Sequence, residues 1–198
     1  MKYKLTEQTK TVNGITLHRI EALKDFFNVD VGDLGGWIES EKNLSQKGNA
    51  WIYENAEVYE NAVVSGDAVV SGNAEVSEDA EVSGDAIVSG TARVFGDAVV
   101  FGNAVVSGIA EVYGNAEVSG NALIFGNAIV SGNVKVFGDA VVSGNAWVYG
   151  NARVYGNARV SGTSWVYGNA RVSGTSWVYG TAKVFGNVVV SGTAWISF

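Results

Sequence analysis

Val69-Val70-Ser71-Gly72-Asn73-Ala74 is one copy of a six-residue phrase that runs without a break from Trp51 to Ala194, 24 copies in all. A shortened copy follows at Trp195-Ile196-Ser197-Phe198. Numbering the phrase 1 to 6, position 2 is Val or Ile in every copy, from Ile52 to Ile196. Position 6 is Ala except at Val134, Ser164, Ser176 and Val188, and position 4 is Gly except at Glu54, Glu60 and Glu78. Position 5 is mostly Asn, Asp or Thr. Positions 6, 1, 2 and 3 alternate between inward and outward residues, the period of a β-strand. Gly at position 4 and Asn or Asp at position 5 tolerate the left-handed backbone of a tight corner. Each phrase is therefore predicted to be a short β-branched strand ending in a corner. Val fills the wide part of the interior and Ala the narrow part beside the corner. Short repeats of this kind stack into solenoids.

Three phrases make an 18-residue triangular coil, and the outward residues test that period. One face carries Trp51, Val69, Ile87, Val105, Leu123, Val141, Arg159, Trp177 and Trp195 at position 1, apolar in all but Arg159. The second face has only Ile129, Trp147 and Trp165 as apolar residues there, and the third only Val63, Val99 and Val189. At position 3 one face reads Tyr59, Ser77, Phe95, Tyr113, Ser131, Tyr149, Tyr167, Phe185. The third face is the most polar at position 1, with Glu81, Glu117, Lys135, Arg153 and Arg171. A period of six alone generates none of these differences. The fold class is an all-β parallel solenoid of about eight coils, on the order of 40 Å long at ~4.8 Å per coil. Each buried Val contributes ~1.5 kcal/mol. Stacked Asn at position 5 is expected to form ladders between coils.

Residues 1–50 are expected to be a separate capping segment, and residues 51–198 the solenoid. Tyr3 to Val12, Asn13-Gly14 and Ile15 to Leu23 read as a hairpin with a type I′ turn. Asp30 to Ile38 reads as a glycine-rich loop. Such a cap would cover strand edges that otherwise aggregate. The last coils are rich in Trp and Tyr, and a second subunit is expected to cover that end.

The phrase resembles the [Leu/Ile/Val]-Gly-x-x-x-x repeat of the hexapeptide acyltransferase superfamily, and that resemblance implies a left-handed parallel β-helix. Gly35-Gly36-Trp37-Ile38, then Asn43-Leu44-Ser45-Gln46 with Gly48, Trp51-Ile52-Tyr53 and Asn55-Ala56, is similar to the start of YdcK-type hexapeptide proteins. It is similar also to phage and prophage proteins with the same leader. The resemblance implies a bacterial or phage setting. It carries little about activity, because one fold hosts many functions.

The 198 residues include no Cys, which excludes disulfides, thiol nucleophiles and thiolate metal sites. No apolar run approaches the ~18 residues of a membrane helix, and residues 1–7 lack a secretory pattern, so a cytoplasmic location is expected. Residues 1–100 carry 8 Lys/Arg against 17 Asp/Glu, a net charge of −9; residues 101–198 carry 5 against 3, a net charge of +2. The rod is electrically polar along its length.

Members of the acyltransferase superfamily use a His projecting from a coil and a protruding loop. Here the single His is His18, in the hairpin, and no insertion interrupts the coils. No catalytic residue, metal site or cofactor is expected. Glu54, Glu57, Glu60, Glu75, Glu78, Asp79 and Glu81 read as a solvated acidic face. The apolar row of Trp51, Val69, Ile87, Val105, Leu123, Val141, Trp177 and Trp195 should be covered. It is expected to be a homo-oligomer interface. An antiparallel dimer is favoured, because it sets the acidic half against the basic half; a trimer is the alternative. Packing of residues 1–50 along the row and a foreign protein partner are the other ways to cover it. The aromatic stripe of Tyr59, Phe95, Tyr113, Tyr149, Tyr167 and Phe185 reads as an inter-coil ladder, or as part of the interface, or as a stacking platform for sugars or bases. Net charge disfavours nucleic acid. The expected function is a non-catalytic structural or binding solenoid. The alternatives are an acyltransferase-like enzyme with a site between subunits and a phage factor that binds a host protein.

Overall fold

A computed structural model describes residues 1–198. The coils are an all-β solenoid in which every paired strand is offset by 18 residues, as where Ile87 lies between Val69 and Val105. Three parallel sheets result. The apolar face holds nine strands, from Trp51–Ile52 to Trp195–Ser197. The aromatic face holds the strands from Glu57–Val58 to Lys183–Val184, and the polar face those from Val63–Val64 to Val189–Val190. Positions 2 and 6 line one continuous core, with Val70, Ala74, Val112 and Val130 among its fully buried members.

Backbone bonds run between coils. The Val69 amide donates to the Ala86 carbonyl (2.9 Å) and the Ser71 amide to the Val88 carbonyl (2.9 Å). The corners need glycine for a local reason. Gly126 has φ +74, and a Cβ there would lie 3.0 Å from the backbone N and O of Gly144 in the next coil. Position 5 forms the expected ladders. Asn115, Asn133, Asn151 and Asn169 each donate a side-chain amide to the next Asn of the column, which ends on Asn187, over 3.0–3.2 Å.

The leader opens with β1 (Tyr3–Val12) and β2 (Ile15–Ala22), an antiparallel hairpin. Its turn residues Asn13 and Gly14 both have positive φ, +51 and +83, as a type I′ turn requires. The stretch expected to be a glycine-rich loop instead contains a strand, β3 (Leu34–Ile38). It pairs antiparallel with β2 and parallel with Glu57–Val58. Gly35 and Gly36 are not turn residues here. A Cβ on Gly35 would sit 2.6 Å from the Ile52 carbonyl, and one on Gly36 would sit 2.4 Å from the Ile52 side chain. Both glycines let two backbones approach, the other use of Gly within a strand.

After β3, a 3-10 turn at Glu41–Asn43 leads to Leu44, which bridges to Val64. Asn43 donates its side-chain amide to the carbonyls of Glu60 and Ala62 (2.9 Å each). Residues 34–50 thus form an irregular first coil that joins the hairpin to the regular coils. Lys2 and Tyr3 fasten β1 to that coil. The Lys2 Nζ donates to the Ala50 carbonyl (2.7 Å), and the Tyr3 hydroxyl donates to the Leu44 carbonyl (2.6 Å). No helix is long and apolar enough to cross a membrane.

Candidate functional site

The apolar row is split by the leader. Trp51, expected at its head, is only 1% exposed. Tyr3 and Phe26 pack on it edge-to-face, with ring centroids at 6.1 and 5.3 Å. Trp51 is therefore a core residue, and the open row begins at Val69. Along it Ile87 and Leu123 are the most exposed aliphatics, at 38% and 37%. Val69, Val105 and Val141 are half-buried between them. At position 3 the same face carries Ser71, Ser89, Ser107 and Ser143, with the exposed ring of Phe125 among them. Arg159 breaks the row chemically but lays its guanidinium over the Trp177 ring at 5.1 Å, and Trp177 stacks on Trp195 at 5.2 Å.

The aromatic face carries two columns two residues apart, both pointing outward. The position 3 column stacks as expected. Phe95 and Tyr113 lie 4.8 Å apart with planes within 9°, Tyr149 and Tyr167 4.9 Å apart within 1°, and Tyr167 and Phe185 5.3 Å apart within 12°. The position 1 column adds Trp147 and Trp165, stacked at 5.3 Å, with Tyr149 edge-on to Trp165 at 6.3 Å. Lys183 covers the Trp165 ring at 4.8 Å. The Tyr149 phenol is raised in pKa by burial first and by Tyr167 second.

Ser77 and Ser131 interrupt the position 3 column, and the chain treats the two gaps differently. Around Ser77 an ionic network closes the surface. The Tyr59 hydroxyl donates to the Glu75 carboxylate. Arg93 binds Glu75 through Nε and Nη2 (3.2 and 3.3 Å) and covers the Phe95 ring at 4.9 Å. Burial first, then the hydrogen bond to Glu75, pushes the Tyr59 phenol up to about 12. The Glu75 hydrogen bond also raises the Arg93 pKa. Ser77 is 4% exposed. Around Ser131 a groove of about 360 Å³ stays open, lined by Tyr113, Ile129, Ser131, Trp147, Tyr149 and Trp165.

A family model described as the YdcK beta solenoid repeat matches residues 92–108, 116–132, 148–162, 152–167 and 165–180. The matched stretches are similar to YdcK-type β-solenoid repeats. The protein named "Uncharacterized acetyltransferase YdcK" from Escherichia coli (strain K12) is 39% identical over 61 residues, which cover 27% of this chain and 19% of that protein. The chain thus spans about a fifth of that relative's length, and the activity in its name is said of that protein. The six-residue repeats supply the rod; the outward residues at positions 1 and 3 differ from face to face and make the surfaces.

The groove was half legible. The stripe at position 3 is visible in the sequence, and the structure adds Ile129, Trp147 and Trp165 to it. Their spacing of two residues from Ser131, Tyr149 and Tyr167 was the available signal, since such pairs share one face of a strand. His18 lies on β2, with Nδ1 3.3 Å from the Thr6 carbonyl. The acidic zone has a backbone role in part. The Glu60 amide donates to the Glu39 carboxylate (2.7 Å) and the Glu78 amide to the Glu60 carboxylate (2.8 Å). No group of three or more acidic or His side chains is arranged to hold a metal ion.

Proposed function

We propose that this solenoid is a non-catalytic scaffold that pairs with a second copy of itself through Val69, Ile87, Val105, Leu123 and Val141. One observation carries the reading: an unbroken aliphatic row from Val69 to Val141 points outward and stays half-buried to exposed, while the leader buries the row's first residue, Trp51. Apolar rows of this kind on a water-facing surface mark interaction sites. The chain's own charge favours an antiparallel two-fold pair, because the −9 half of each copy then meets the +2 half of the other. The Escherichia coli relative supports the expected bacterial or phage setting.

Solution mass by light scattering tests this, for the wild type and for Val105→Glu combined with Leu123→Glu. A wild-type dimer that becomes a folded monomer is the expected result. A wild-type trimer would retain the interface and discard the antiparallel pair. A monomeric wild type, or a double variant that stays dimeric, would sink the reading. The acyl-transfer alternative suggested by the relative's name predicts saturable acetyl-CoA binding in calorimetry; the scaffold predicts none.

A further inference from the structure

We propose that the groove at Ser131 binds one planar heteroaromatic ring of a small molecule, bearing an amine or a positive charge. The site is a missing rung. Neighbouring rings in the position 3 column lie 4.8–5.3 Å apart with nearly parallel planes. Tyr113 and Tyr149 stand two rungs apart, about 10 Å at the coil spacing, with only Ser131 between them. A flat ring inserted there repeats on both sides the stacking that the chain already uses. Carbon atoms in contact need about 3.5–4 Å, so a puckered sugar ring, thicker than a flat one, fits the single rung less well. The volume of about 360 Å³ is at the small end for ligand pockets and suits one ring system with a small substituent.

The other gap shows why this one is open. At Ser77 the space is used by Tyr59, Glu75 and Arg93, tied together by hydrogen bonds. Three coils further on, at Ser131, the flanking position 1 residues are Ile129 and Trp147, which have no charge with which to close the gap. The Ser131 hydroxyl makes no hydrogen bond within the chain.

Electrostatics select the ring. Tyr and Trp present electron-rich faces, which favour electron-poor or cationic partners. Glu111 stands beside Tyr113 and one coil before Ile129. Its only ion pair is a loose contact of 3.8 Å with Arg93, which is held mainly by Glu75. The second oxygen of the Glu111 carboxylate has no partner in the chain and can accept from an amino group or face a positive ring.

The test follows the indole N–H resonances of Trp147 and Trp165 by NMR during titration with adenosine, 1-methyladenosine, inosine and glucose. Saturable shifts at these two indoles, with Trp177 unmoved, are expected for adenosine and more strongly for 1-methyladenosine. Inosine, which lacks the amine, should bind several-fold more weakly, and glucose not measurably. Ser131→Tyr fills the rung on an outward position and should weaken binding at least ten-fold. Tyr149→Ala, which removes one wall, should do the same should the first variant misfold. Glu111→Gln should weaken 1-methyladenosine about three- to ten-fold. No saturable shift with either adenine compound overturns the proposal. So does equal binding of glucose, or undiminished binding in Ser131→Tyr. The inference does not rest on self-association: the monomer expected from Val105→Glu with Leu123→Glu should bind the ring as the wild type does.

Discussion

The two halves of this rod share one backbone and finish its surface in different ways. In the first half, outward residues are tied to the leader and to each other by charge: Lys10 to Glu57 (2.6 Å), Arg93 to Glu75 and Glu111. Five groups drawn from their ordinary pKa values lie there, Lys2, Tyr3, Tyr53, Tyr59 and Arg93. In the second half the same positions hold stacked rings, Trp147 on Trp165 and Tyr149 on Tyr167. A repeat with an invariant interior leaves the exterior free to diverge, because positions 1 and 3 bear little of the folding burden. The teaching is that backbone regularity and surface function are written in separate letters of one phrase.

The sharpest way to test that division is on a single row. Trp51 and Trp177 occupy equivalent positions, but Trp51 is sealed between Tyr3 and Phe26, whereas Trp177 is exposed and stacked on Trp195. Trp51→Ala should cost ~3–5 kcal/mol, the range for emptying a large core site. Trp177→Ala should cost ~1 kcal/mol, the worth of a surface aromatic pair. Thermal or urea unfolding reads both. Equal costs would mean that the leader does not seal the first coil.

The two serine gaps give the next contrast. Ser77→Tyr places a ring where Tyr59, Glu75 and Arg93 already fill the surface, and should cost ~1–3 kcal/mol through overpacking. Ser131→Tyr completes a stack between Tyr113 and Tyr149 and should stabilise by ~1 kcal/mol or more. Melting temperatures of opposite sign relative to wild type are expected. A destabilised Ser131→Tyr would show that the rung is not free.

Much of this could be read from the chain alone, and for a physical reason. The interior is specified by local periodicity, so the coil, the 18-residue register and the Asn ladders follow from spacing. What failed to show was long-range. Gly35-Gly36 looks like a turn signal, and only the approach of Ile52 and Ala56 reveals that the glycines serve packing. Trp51 matches Val69 and Ile87 by position, and only Tyr3 and Phe26, far back in sequence, decide that it is buried. Trp147 and Trp165 were visible as outward residues, but reading one column at a time hid their union with Tyr113 and Tyr149.

The smallest expected effect is a pH profile that belongs to the first half. The Lys2 ammonium is drawn down to about 8, chiefly by burial and then by Lys24. Below that value the folded state bears the full penalty of a buried charge. Between about 8 and the ordinary value of 10.5, the unfolded chain holds a proton that the folded chain has released, so stability rises with pH. The Tyr3 and Tyr59 phenols work in the opposite sense. Both are raised above 10.0, chiefly by burial, so their contribution is complete below pH 10 and is lost as pH climbs through the folded values. The melting temperature should therefore pass through a maximum between pH 9 and 10, a gain on the order of 2–5 °C over pH 7. Lys2→Met should flatten the rising limb, and Tyr59→Phe should soften the falling one. The second half holds one shifted phenol, Tyr149, raised by burial and by Tyr167, so Lys2→Met combined with Tyr59→Phe should remove most of the profile; a profile left unchanged would mean that the first half does not carry it.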